Sequence, residues 1–277
     1  MIKLPPQDIS DDCKAKLAGY QEEINGEPDY LAQVAKAKGI WPNRKQNQPF
    51  EEVKAKLAAM SAGGRRCHYC EDSMADEVEH FRPKNVYPDK TFVWENYLYS
   101  CGPCNGPKGD QFAIFEASTG NHVDLTPPPV RPGKTPAPRT SPPPGEALLI
   151  NPREENPLDF IFLDLLNQSY AFEPWEDDPD NPAYQRAAYT IQVLRLNARD
   201  DLVKARELAY TNYKARLTEY VFKRDNGAPQ DQLDTMIDQI KKEAHPSVWQ
   251  EMKQERMRQQ IPELNTLFTQ APEALTW

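Results

Sequence analysis

Two CxxC pairs, Cys67-His68-Tyr69-Cys70 and Cys101-Gly102-Pro103-Cys104, constrain this chain more than any other feature. Four thiolates in that spacing supply the tetrahedral sulfur set that suits zinc, and such a site is coordinatively closed. Zinc held by Cys67, Cys70, Cys101 and Cys104 is therefore expected to act as a structural staple. Thirty residues, 71 to 100, lie between the pairs, more than the roughly 15 to 20 of a simple zinc ribbon. Something is inserted inside the clamp. Five cysteines, four of them paired in this way, point to metal ligation in a reducing compartment rather than to disulfides. Cys13, the fifth, is expected in the core, and His68 is expected to stand beside the metal without ligating it.

At 277 residues the chain is long enough for one or two domains. Residues 1–64 read as a helical scaffold. Ser10 is a candidate N-cap, and Cys13, Leu17, Tyr20 and Ile24 share one helix face. A shorter helix is expected over Asp29 to Lys38. Phe50, Val53, Leu57 and Met60 mark a third helix, stopped by Gly63-Gly64. Residues 65–125 change character, with β-like runs at Glu77 to Phe81 and Tyr97 to Tyr99. Much of the excess of the 27 prolines falls in 126–145, a loop or linker that carries Arg131, Lys134 and Arg139. Residues 146–277 begin with extended segments up to about 175. They then turn helical from Ala183 to about Arg258, with Ile191, Leu194, Leu202, Leu208, Leu217 and Tyr220 as expected core positions and a break at Asn226-Gly227.

No apolar run approaches the roughly 20 residues of a membrane helix, and the start MIKLPPQDISDD lacks the pattern of a signal peptide. A cytoplasmic protein with no membrane contact is expected. The net charge of −9 argues against a protein that coats nucleic acid non-specifically.

Inside the clamp lie Glu79-His80-Phe81-Arg82-Pro83-Lys84, then Glu95-Asn96-Tyr97, then Cys104-Asn105-Gly106-Pro107-Lys108-Gly109-Asp110. An acid before a histidine, an asparagine opening the next strand and CxxCN with a lysine three residues on form a specific combination. In this order the segment Cys67 to Asp110 resembles the HNH endonucleases. The resemblance implies an α+β fold, with a mainly helical scaffold around a small zinc-stapled ββα-metal centre. It assigns His80 as general base, Glu79 and Asn105 as oxygen ligands of a catalytic Mg²⁺ or Mn²⁺, and Asn96 as the residue that fixes His80 across the hairpin. Lys108, Arg82 and Lys84 would contact phosphates. The acid is Glu where the family commonly has Asp, and Asn105 stands where it often has His. Neighbours on a regular strand point to opposite faces, so Glu79 and His80 share a site only where the strand bends or ends. His122 and His245 lack this context and are expected to be structural or exposed.

Further outward, CHYCE, VEHFRPK, ENYLYSC and CNGPKGDQF, with NPREENPLDFIF and RAAYTIQVLRLN downstream, are similar to the HNH subunit of Septu-type and retron-associated anti-phage systems. That resemblance implies a DNA-cleaving effector working beside an ABC-type ATPase. The competing readings are a degenerate zinc-knuckle module that only binds DNA or a partner, and an RNase acting on tRNA or other RNA.

Overall fold

The computed structural model describes residues 1–72, 74–128 and 140–277. Helix α1 (Asp11–Asn25) opens where the Ser10 hydroxyl accepts from the Cys13 amide, with Asp11 and Asp12 complementing the helix dipole. It buries Cys13, Leu17 and Ile24. Helix α2 (Tyr30–Arg44) is capped by Asp29 but runs past the expected end at Lys38. Pro42 removes one donor in the last turn, while buried Trp41 anchors that turn in the core. Helix α3 (Pro49–Ala59), with proline in its first turn, buries Phe50, Val53 and Leu57. Gly63 follows at φ +68°, and a Cβ there would stand 2.2 Å from the Lys242 carbonyl oxygen, so only glycine fits.

The hairpin expected inside the clamp is present: β1 (Glu77–His80) pairs antiparallel with β2 (Tyr97–Ser100), setting Glu79 against Leu98 and His80 against Tyr97. Helix α4 (Gly102–Lys108) starts within the second CxxC pair. Strands β3 (Ala113–Glu116), β4 (His122–Asp124) and β5 (Gly145–Ala147) form a sheet in the order β4-β3-β5. The proline-rich excursion thus leaves and rejoins the flanks of one strand. Its residues 129–139, which include Arg131, Lys134 and Arg139, lie outside the described residues. A second hairpin pairs β6 (Ile161–Leu163) with β7 (Phe172–Pro174), matching the extended reading of this stretch.

Helices α5 (Pro182–Val193), α6 (Asp200–Asp225), α7 (Gln230–Lys241), α8 (Pro246–Arg258) and α9 (Pro262–Gln270) complete the described chain, with the break at Asn226-Gly227 where expected. Leu194, Leu202, Leu217 and Tyr220 are buried and Ile191 is partly so, but Leu208 is 61% exposed. The inward stripe of α6 runs Leu202, Arg206, Ala209, Tyr213, Leu217, Tyr220. Arg206 takes a core place because its guanidinium donates to the carbonyls of Tyr170 (3.0 Å) and Leu196 (2.7 Å) and stacks on Phe172. One hydrophobic core runs from Met1 to Ala274, through both CxxC pairs. The architecture is α+β and mainly helical, and no described helix is long and apolar enough to cross a membrane.

Candidate functional site

The four sulfurs of Cys67, Cys70, Cys101 and Cys104 lie within 4.8 Å of one another and are buried. Zinc–sulfur bonds of about 2.3 Å at tetrahedral angles place sulfurs about 3.8 Å apart, and Cys70 and Cys101 are separated by 3.7 Å. The donor set fits a structural zinc ion. The first pair sits in the turn before β1, Cys101 follows β2 and Cys104 lies in the first turn of α4, so the cluster ties both ends of the hairpin to the helix. Arg199, at the start of α6, donates to the Cys104 sulfur at 3.3 Å, a charge-assisted contact suited to a thiolate. His68 stays outside the set: its Nε2 donates to the Leu57 carbonyl at 3.0 Å and its Nδ1 accepts from the Tyr99 amide at 3.0 Å.

Beside the cluster opens a cleft of about 410 Å³. It is lined by five consecutive residues, Asp76 to His80, by Pro83, Lys84, Asn105, Gly109 and Asp110, and by Trp41, Lys45, Gln46 and Lys54. Both Glu79 and His80 line this cleft. The sheet has two strands, so β1 has a free edge, and a cleft along an edge is reached by side chains of both faces.

The His80 ring packs 4.2 Å from that of Trp41, and its Nε2 lies 2.9 Å from the Thr91 carbonyl oxygen. A carbonyl only accepts, so Nε2 carries the hydrogen and Nδ1 keeps its lone pair. Burial, reinforced by the neighbouring Lys84 charge, lowers the His80 pKa to about 3, and the imidazole is neutral at pH 7. Glu79 is buried against the Lys108 ammonium, which also donates to the His80 carbonyl at 2.9 Å. Burial pushes the Glu79 carboxyl above its ordinary range, and Lys108 opposes that shift.

Several expected contacts are corrected. Asn96 does not bond to His80. Its amide accepts from the Arg82 N–H at 2.8 Å and donates to the carbonyls of Arg82 (3.0 Å) and Lys90 (2.9 Å). It pins the chain just after His80 and just before Thr91, and so acts on the ring indirectly. Lys108 is wholly enclosed rather than presented to a phosphate, because the buried Glu79 requires a cation. Arg82 lies over the rings of Tyr87 and Phe112 instead of lining the cleft. Lys84 does line it.

The Asn105 amide donates to a carboxylate absent from the sequence reading, that of Glu77. Its signal was available, since Glu77 and Glu79 are two apart on a strand and share a face. Trp41, Lys45 and Lys54 were also missed, having been counted as scaffold. His122 is exposed on β4 and His245 is buried at the start of α8, neither near the cleft. The Glu79–Lys108 pair yields a direct prediction. Lys108→Met should lower stability by about 3–5 kcal/mol in urea unfolding by stranding a buried carboxylate. Adding Glu79→Gln should restore most of it, and a double variant no more stable than the single one would show the pair to be uncoupled.

Among curated proteins the chain is similar to the Septu protein PtuB of Bacillus thuringiensis, 46% identical over 74 residues, which are 25% of this chain and 29% of that protein. The match thus spans less than a third of the relative's length. No protein-family model matches. No solved structure matches. The chain therefore joins a stretch similar to a Septu protein with a four-cysteine cluster able to hold a metal ion.

Proposed function

We propose that this chain is a metal-dependent HNH-type endonuclease that hydrolyses phosphodiester bonds in DNA, as the effector of an anti-phage system with an ABC-type ATPase partner. The observation that carries the chemistry is His80: a neutral imidazole pinned through Nε2 by the Thr91 carbonyl, lining a cleft shared with Glu77, Glu79 and Asn105. Nδ1 accepts a proton from the water that attacks phosphorus. The negative charge of a bound phosphate raises the basicity of a ring whose pKa is otherwise depressed. Asn96 keeps the ring aligned by holding residues 82 and 90.

Glu79 and Asn105, with Glu77 alongside, form an oxygen donor set suited to Mg²⁺ or Mn²⁺. When bound, such an ion stabilises the charge developing on the departing sugar oxygen. Lys108 fixes the longer glutamate arm, holding Glu79 beside the His80 carbonyl. Similarity to the Septu protein PtuB over part of the chain supports the defence role.

The test is nicking of supercoiled plasmid with Mg²⁺ or Mn²⁺, by the chain alone and with its co-purified partner. His80→Ala should slow cleavage about 10²–10⁴-fold, the usual contribution of a general base. Equal cleavage by both proteins rejects His80 as the base, and digestion of RNA but not plasmid moves the substrate to RNA.

A further inference from the structure

Lys108 and Arg82 turn away from the cleft, so the phosphate backbone must be met by other cations. One wall supplies them. Lys38 and Trp41 of α2 and Lys45, its C-cap in right-handed helical conformation, follow one another at i, i+3 and i+7 and share a helix face. The Trp41 ring of that stripe packs on His80, which aims the stripe at the cleft. Lys45 and, from α3, Lys54 line the cleft directly, and the charges of Lys38 and Lys45 are close enough to act on Lys84 across it.

Lys38, Lys45 and Lys54 are exposed and make no ion pair or side-chain hydrogen bond among the described residues, whereas the half-buried Lys84 feels the carboxylates of Asp110 and Glu79. By contrast Lys14, Lys16, Lys36 and Lys90 each lie against a carboxylate. The cleft's own carboxylates are Asp76, Glu77, Glu79 and Asp110. Oxygen donors thus reach the cleft from β1 and the end of α4, and cations from the end of α2, from α3 and from Lys84. In a chain of net charge −9, three exposed ammonium groups without ion pairs, joined by Lys84, are a local attraction for polyanions.

Building on the nuclease reading, we infer that Lys38 of α2, Lys45 at its C-cap, Lys54 of α3 and Lys84 form a track for the phosphodiester backbone of DNA. The N-terminal helices are then part of the substrate interface and not scaffold alone. Contacts of this kind carry no base sequence information; they set register and affinity, and each phosphate engaged releases counterions.

The test compares the full-length chain with Lys38→Gln/Lys45→Gln/Lys54→Gln, with the matching triple arginine variant and with Lys204→Gln/Lys241→Gln, which alters exposed lysines of α6 and α7. Binding to labelled single-stranded and duplex DNA oligonucleotides is measured in Ca²⁺ over a series of salt concentrations, with far-UV circular dichroism to verify folding. The glutamine triple should bind about tenfold or more weakly near 0.1 M salt. Its slope of log affinity against log salt should be shallower by about 2–3. The arginine triple and the α6–α7 control should match the parent in both. Unchanged affinity and slope in the glutamine triple overturn the track, as does an equal loss in the control. If the parent nicks plasmid while the triple binds normally, only the track fails. If the parent binds through these lysines but never cleaves, only the nuclease reading fails; a parent that neither binds nor cleaves DNA overturns both.

Discussion

Chelation of the metal from the four-cysteine cluster, or Cys101→Ser, should dismantle the β1–β2 hairpin and the cleft with it. Each of these strands is four residues long, and an isolated two-stranded hairpin is marginal in water. Their mutual position depends on sulfurs donated by the turn before β1, the end of β2 and the first turn of α4. Apparent binding energies of structural zinc are of order 10 kcal/mol or more in small zinc domains. Arg199 would also lose the thiolate it contacts. Metal analysis should find about one zinc per parent chain and none in the variant, together with a large fall in the urea midpoint. A Cys101→Ser protein with the parent's midpoint would show that the cluster holds nothing in place.

Acidification from pH 7 to 5 should weaken the protein steeply. His68, His80 and His245 are buried, and desolvation lowers their pKa values to about 3, 3 and 4. In the unfolded chain each titrates near 6.5. Below that value the unfolded state takes up three protons that the folded state refuses until about pH 4, so stability is lost as pH falls through this window. The limiting slope is about 4 kcal/mol per pH unit. Glu79 and Glu251, whose carboxyls are raised by burial, work in the opposite direction. Urea midpoints at pH 7.5, 6.5 and 5.5 measure the slope; midpoints independent of pH would show that the three rings are protonated in the folded protein. Any acid loss of activity should then follow unfolding and not the titration of His80.

The parts legible in the sequence are those encoded locally. Ligand spacing marked the knuckle, and Ser10 announced α1 through its cap. Short β-like runs at Glu77 to Phe81 and Tyr97 to Tyr99, framed by the cysteine pairs, marked the hairpin. The parts that were not legible depend on which distant residue arrives alongside. Lys108 looks like a solvent-facing lysine at a helix end until Glu79 is folded onto it. Arg206, and not Leu208, holds an inward place on α6 because two carbonyls converge there. Trp41 reads as scaffold until its ring reaches His80. In each case a long-range pairing decides, and spacing along one chain segment carries no trace of it.

Helix α4 has Cys104 in its first turn and Lys108 at its end, within seven residues. The sulfur cluster therefore grips one end of a short lever whose other end reaches both the Glu79 carboxylate and the His80 carbonyl. A tilt of α4 at the cluster would move the partner of both groups at once.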